Sequence, residues 1–201
     1  MKTTVSDWND RYLNDDFPWD KGMAAPALEE TLQGDYFPKG AEVLVPGCGF
    51  GHDARALASA GFRATGMDIA PLAVQKARAM TDDTAGEVRA EFIHGDLFDP
   101  SLAEQKRYDA IWEHTCYCAI LPEQRDAYVE AAHRLLKPQG VLVGVFFAFG
   151  EEAAGPPYKT SVKELHDQFG KHFTLEWERR PGRSFPSREG IEWLMCWRRK
   201  G

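Results

Sequence analysis

No run of apolar residues in this 201-residue sequence is long enough to cross a bilayer, and its opening stretch, MKTTVSDWNDRYLNDD, is polar and acidic. Neither a membrane span nor a signal peptide is therefore expected. Positive charge is also short, with 24 Lys and Arg against 31 Asp and Glu and a net charge of -7. Affinity for nucleic acid depends on neutralising phosphates, so this balance, with no basic stripe, argues against such a partner and for a small molecule. The four cysteines, Cys48, Cys116, Cys118 and Cys196, form no C-x-x-C pair. That excludes the usual zinc spacing and a disulfide framework; no metal is expected, and the expected compartment is a reducing cytoplasm. No heptad or spare apolar helix appears, which favours a monomer. What is present is ordinary for a globular chain, 43% hydrophobic and 27% charged, so residues 1–201 are read as one domain with a full core. Within it, residues 1–35 form an N-terminal helical segment and residues 36–201 the core.

That core is organised around Ala41 to Asp68, AEVLVPGCGFGHDARALASAGFRATGMD. Val43-Leu44-Val45 is too short for a helix and reads as a strand, broken by the glycine-rich turn Pro46 to Gly51. His52 to Ala60 reads as a helix with Ala54, Leu57 and Ala58 on its apolar side, and Gly61 is placed for a left-handed cap. A second strand, Arg63 to Met67, ends at Asp68. Strand, glycine turn, helix, strand and acid form the nucleotide-binding half of a doubly wound α/β sheet. One further thing is missing: the third glycine of the dinucleotide fingerprint G-x-G-x-x-G, whose place is taken by His52. A methionine-adenosine ligand such as S-adenosylmethionine (SAM) fits the run Gly47-x-Gly49-x-Gly51 better than a pyrophosphate does. Asp68 is placed to accept from ribose hydroxyls with either ligand.

Around this unit the pattern predicts helices over Thr4 to Leu13, Ala27 to Leu32, Pro71 to Met80, Gln124 to Leu136 and Val162 to Gln168. Thr4 or Ser6 is the expected cap of the first. Strands are predicted over Val88 to His94, Tyr108 to Trp112, Val141 to Phe149, His172 to Glu178 and Ile191 to Arg198. Thr81 to Gly86 reads as a loop, Lys137 to Gly140 as a turn, and Glu151 to Lys159 as a stiffened loop over the ligand edge. Arg179 to Gly190 is too short to hold a crossover helix, so the last two strands pair antiparallel. The fold class is thus a mostly parallel seven-stranded sheet with a C-terminal antiparallel hairpin. Trp8, Tyr12 and Trp19 are either a satellite hydrophobic cluster or ligand contacts. Asp96 and Leu97, just past the third strand, are either an ordinary turn or the acceptor and apolar wall for adenine. His114, at the carboxyl end of the fourth strand, faces the reaction centre as a base, a hydrogen-bond donor or a structural histidine.

The ordered set of motifs allows something narrower. Trp8 with its spacing to Tyr12 and Trp19, then LVPGCGFGHDARALA, GMDIAPLAVQKA, HGDLFD, YDAIWEHTCYCAILPEQR, LLKPQG and GPPYKT, resembles the thiopurine S-methyltransferase family on its thiol and halide branch. The resemblance spans Trp8 to about Arg199. It implies that Trp8, Tyr12 and Trp19 close a lid over SAM, that the Gly47 backbone holds the methionine part, and that Asp68 holds the ribose. It also implies that Asp96 and Leu97 hold the adenine, and that Tyr158 comes near the acceptor. SFPSREG resembles the family's segment at its place, which makes Arg188 the substrate-side arginine among Arg179, Arg180, Arg183 and Arg188. Tyr12 and His114 depart from that branch's usual tryptophan and tyrosine, which leaves the acceptor open.

The expected chemistry is methyl transfer from SAM, leaving S-adenosyl-L-homocysteine, to a small soft nucleophile: a thiol or hydrosulfide, or else a halide, thiocyanate or thiopurine. A sulfonium is already activated, so positioning and desolvation suffice and no enzyme nucleophile is required. His114 and Tyr158 are the catalytic candidates. Trp8, Tyr12, Trp19, Gly47, Gly49, Asp68, Asp96, Leu97 and His114 are the cofactor-binding candidates. Trp19, Tyr117, Tyr158 and Arg188 are the substrate-binding ones. The alternatives are a nicotinamide-dependent oxidoreductase on the same half-fold, a SAM-binding protein without catalysis, and a methyltransferase for another small oxygen, nitrogen or arsenic acceptor.

Overall fold

The computed structural model describes residues 5–82, 90–149 and 155–201. Seven strands form one sheet: β1 (Glu42–Pro46), β2 (Arg63–Asp68), β3 (Glu91–His94), β4 (Tyr108–His114), β5 (Leu136–Phe147), β6 (Phe173–Arg179) and β7 (Glu192–Arg199). Their order is β3-β2-β1-β4-β5-β7-β6. β1 to β5 pair in parallel, and β7 runs antiparallel to both β5 and β6. The strand order turns back between β1 and β4, and a doubly wound sheet opens its ligand crevice at the carboxyl ends beside such a switch.

The helices are α1 (Val5–Leu13), α2 (Pro26–Leu32), α3 (His52–Ser59), α4 (Pro71–Asp82), α5 (Leu102–Gln105), α6 (Arg125–Leu135) and α7 (Val162–Phe169). Alternation along the central strands splits the core. Val43 and Val45, Ala110 and Trp112, and Val141, Val143 and Val145 point to one side, where α2, α3 and α4 cover them with Leu28, Leu57 and Val74. Leu44, Ile111, Leu142 and Phe146 point to the other, under Tyr128 and Val129 of α6 and Leu165 and Phe169 of α7. A fully buried leucine such as Leu44 contributes about 1.5–3 kcal/mol.

The glycine-bounded end of α3 fixes the approach to β2. Gly61 sits at φ +90°, its N–H donates to Ala58 O and the Phe62 N–H donates to Leu57 O, a Schellman closure that satisfies the last carbonyls. Several boundaries differ from the sequence reading. Lys137 to Gly140 is not a turn, because β5 begins at Leu136 and absorbs a register shift against β4 between Tyr108 and Ala110, with Gln139 at φ +64°. That strand ends at Phe147 rather than Phe149. Helix α4 reaches Asp82, taking in Thr81 and Asp82 from the expected loop; the Thr81 hydroxyl donates to Ala77 O at 2.9 Å. β3 begins at Glu91, while the expected start at Val88, the rest of the loop before it, the cap at Thr4 and residues 151–154 lie outside the described residues.

Candidate active site

The glycine turn after β1 is built in the left-handed region, with Gly47 at φ +58°, Gly49 at +53° and Gly51 at +80°. Side chains are excluded as well as strained: a Cβ on Gly51 would lie 2.3 Å from the Phe92 ring, and one on Gly47 would lie 3.0 Å from Cys116 Cβ and Sγ. The turn is tied to Asp68 at the end of β2. Gly49 N–H donates to Asp68 Oδ2 at 2.8 Å and Ala70 N–H donates to Oδ1 at 2.9 Å. Burial raises the Asp68 carboxyl above its ordinary pKa, with those N–H groups opposing the rise. Gly49 therefore addresses the acid rather than the open crevice, whereas Gly47 and Asp68 both line it.

That crevice has a volume of about 1220 Å³. Sites for one drug-sized molecule run to about 1,000 Å³, so there is room for two ligands side by side. Trp8, Tyr12, Trp19, Asp96, Leu97 and Arg188 all line the crevice. The three aromatics pack edge to face, Trp8 and Trp19 at 5.6 Å and Tyr12 and Trp19 at 5.8 Å between centroids, with the Arg11 guanidinium 4.3 Å over Trp19. They thus form both a cluster among themselves and a wall of the crevice. Asn9 Oδ1 accepts from Leu72 N at 3.2 Å, which docks α1 on α4. Burial, with Asp68 nearby, pushes the Tyr12 phenol well above its usual pKa and keeps it protonated. Asp96 Oδ1 accepts from Phe98 N at 2.9 Å in a local turn.

His114 does not lie in the main crevice. It borders a smaller adjoining recess of about 50 Å³, where it sits in a chain of bonds. Its Nδ1 is 2.9 Å from Asp53 Oδ2, and its Nε2 is 2.8 Å from an Arg188 terminal nitrogen. A guanidinium has only donors, so Nε2 accepts and the proton stays on Nδ1, facing Asp53. Both ring nitrogens are engaged. Asp53 also accepts from Ala25 N at 2.7 Å and Trp112 Nε1 at 2.8 Å. Arg188 reaches on to Trp19 O at 3.2 Å and lies 5.1 Å from the Phe147 centroid and 5.0 Å from that of Phe185.

Of the four arginines near the hairpin, Arg188 alone lines the crevice. Arg179 pairs with Glu30, Arg183 with Glu29, and Arg180 lies 4.3 Å over Trp193. Besides Gly49 and His114, two further expected residues stand off the crevice. Tyr117 is 1% exposed and packs in the core against Tyr128, Phe146 and Phe169. The cause is a break in the strand's alternation: Thr115 stands at φ +63°, and Glu113 Oε1 accepts from both Cys116 N and Tyr117 N, folding the chain inward. Its neighbours Cys116, Cys118, Ala119 and Ile120 line the crevice instead. Tyr158 is held by its backbone, donating to Cys118 O at 2.7 Å and accepting from Arg125, with its ring over Gly155. Pro156 and Pro157, not Tyr158, reach the crevice wall. Asp53 and Trp112 escaped the sequence reading. The signal for Asp53 was there: it is the one acid on the buried face of α3, beside Ala54, Leu57 and Ala58. Among the described residues no group of three or more His, Cys, Asp or Glu side chains is placed to hold a metal ion.

A family model for thiopurine S-methyltransferase matches residues 3–186. Thiocyanate methyltransferase 1 of Arabidopsis thaliana is 30% identical over 96% of this chain and 84% of its own. Its namesake in Brassica oleracea is 34% identical over 75% of this chain, and the match spans 65% of that relative, slightly under two thirds. Among solved structures, Burkholderia thailandensis 1,6-didemethyltoxoflavin-N1-methyltransferase with S-adenosylhomocysteine superposes with a TM-score of 0.75 at 22% identity, over 98% of this chain and 87% of that one, a likeness of fold.

Proposed function

The chain belongs to the thiopurine S-methyltransferase family, and from that premise we propose that its crevice transfers the methyl group of SAM to a small soft nucleophile, first of all a thiol or hydrosulfide. Thiocyanate, halides and thiopurines belong to the same class of acceptor. The nicotinamide alternative falls with that membership; His52 opens α3 and lies 3.1 Å from Asp20 Oδ1.

The observation that carries the reading is one cavity walled both by Gly47 and Asp68 and by the buried guanidinium of Arg188. SAM supplies, when bound, a sulfonium-activated methyl group open to in-line displacement. The residues fit such a ligand, since the glycine turn leaves no Cβ in its path and Asp68 presents a carboxylate for ribose hydroxyls. In this reading the Gly47 backbone takes the methionine part, and Asp96 and Leu97 take the adenine. Trp8, Tyr12 and Trp19 keep water out and face the sulfonium, with a cation-π attraction on the order of 1 kcal/mol. Arg188 draws the acceptor as an anion and holds it in a partly apolar wall. His114 is no general base here, because each ring nitrogen already has a partner; its part is to steady Arg188. Acceptors therefore arrive ionised, which suits thiols of low pKa. Tyr158 and Tyr117 support the acceptor loop from behind. We further propose a single-domain monomer acting in a reducing cytoplasm, without nucleic acid as substrate. The net charge of -7 and the four free cysteines support this, and no helix among the described residues is long and apolar enough to cross a membrane.

The test is calorimetric SAM binding followed by SAM consumption across hydrosulfide, alkyl and aryl thiols, 6-mercaptopurine, iodide and thiocyanate. Turnover on thiols or anions is expected. SAM binding with no turnover on the whole panel would overturn the acceptor class and send the search to oxygen, nitrogen or arsenic acceptors, or to a role in binding alone.

A further inference from the structure

Asp53 is 8% exposed, faces only the small recess, and has both oxygens in use. We infer that it is a positioning residue for acceptor capture: through His114 it sets where the Arg188 guanidinium stands, without touching either substrate. This rests on the methyl-transfer reading with Arg188 on the acceptor side.

Each bond in the chain dictates the next. Arg188 has no acceptor atoms, so its approach of 2.8 Å to His114 Nε2 requires a lone pair there. The imidazole then carries its proton on Nδ1, and that proton needs an acceptor, which Asp53 Oδ2 provides at 2.9 Å. Were the proton on Nε2, a donor would face a donor and the guanidinium would be pushed away from its place between Phe147 and Phe185. Asp53 is itself held from three sides, by its own helix α3, by the Ala25 N–H that precedes α2, and by Trp112 of β4. It joins the N-terminal segment, the central strand and the arginine of the C-terminal loop. Among the described residues, the carboxylate paired with Arg188 outside this run of bonds is Glu192, at 3.9 Å, too far to orient it by a hydrogen bond.

Asp53→Ala is expected to raise KM for the acceptor about tenfold or more while SAM affinity stays within about twofold, since the acceptor that fixes the His114 tautomer, and through it the place of the buried Arg188 charge, is removed. The effect should vanish in an Arg188→Ala background, where nothing is left to position. Trp112→Phe removes another bond to the same Asp53 oxygen and should lower the melting temperature while leaving acceptor KM within about twofold. An equal KM penalty for Asp53→Ala with and without Arg188 overturns the inference, as does Trp112→Phe matching Asp53→Ala in KM. If Asp53→Ala does not fold, the ¹⁵N imidazole spectrum of the wild-type chain decides. A neutral His114 protonated on Nδ1 is required, and one protonated on Nε2 or on both nitrogens overturns it. That spectrum needs no turnover, so it stands apart from failure of the methyl-transfer reading, which shows as a wild-type chain inactive on the whole acceptor panel.

Discussion

Gly47 carries two separate demands, a left-handed backbone and an empty Cβ position 3.0 Å from Cys116. Gly40 carries only the first, at φ +68° with nothing within 4 Å of a built Cβ. Gly40→Ala should therefore cost about 1 kcal/mol of stability and leave SAM binding untouched, whereas Gly47→Ala should cost about 2 kcal/mol or more and weaken SAM at least about tenfold. Denaturant melts and calorimetry on the pair check this; equal effects on SAM would remove the Gly47 backbone from the cofactor site. At this scale the sequence is informative where period and strand end fix a side chain. Asp68 stands at the crevice because it ends β2, and Asp96 and Leu97 because they follow closely on the end of β3, strand ends that could be read. Tyr117 could not be placed, because Thr115 at positive φ breaks the two-residue alternation that any such reading extends. Asp53 went unseen because its partners Ala25, Trp112 and His114 are 28, 59 and 61 residues away, and one sequence does not show which distant donors meet.

The segment after β4 is the element on which acceptor binding turns, and a single buried carboxylate shapes it. Glu113 is 1% exposed; Oε1 takes the N–H groups of Cys116 and Tyr117, and Oε2 takes the Tyr128 hydroxyl. Glu113→Ala leaves three donors, two of them fully buried, without a partner and should cost about 3 kcal/mol or more, while Glu113→Gln, which keeps the shape, should cost less than about 1 kcal/mol at neutral pH. Burial raises the Glu113 carboxyl, against the bonds from Tyr128 and the two amides. A raised folded pKa means that its contribution is full below the unfolded value near about 4.3 and is lost as pH rises through the folded value. The stability difference between Glu113→Gln and wild type should thus move in favour of Gln from pH 4 upward, as melts across that range would read. A difference independent of pH would mean that Glu113 does not titrate in this window. The existence and kind of the seven strands and of α1 to α4, α6 and α7 were legible from periodicity and caps. The start of β5 was not, since Lys137-Pro-Gln-Gly carries turn chemistry that pairing with β4 overrides.

For the whole molecule, the crevice is closed by contacts between distant parts of the chain. The end of β6 and the loop after it are tied to α2 through Arg179 and Gly182 on Glu30 and Arg183 on Glu29, and Arg188 holds Trp19 O. A ligand seated beneath those contacts should stabilise the fold by mass action, about 2.7 kcal/mol at a hundredfold excess over Kd. For a chain of this size S-adenosylhomocysteine at that excess should raise the melting temperature by roughly 5–10 °C. No shift at saturating ligand would contradict binding to the folded chain. The sheet itself has a consequence for synthesis on the ribosome. β7 follows β6 in the chain yet lies between β5 and β6, and among the described residues β6 pairs with no other strand. Until β7 has left the exit tunnel, the edge of β5 stays open with its apolar run Val141 to Phe147, and β6 has nothing to join. The nascent chain must therefore carry an unpaired, aggregation-prone edge until β7 emerges, which makes this edge the natural place for a chaperone to hold.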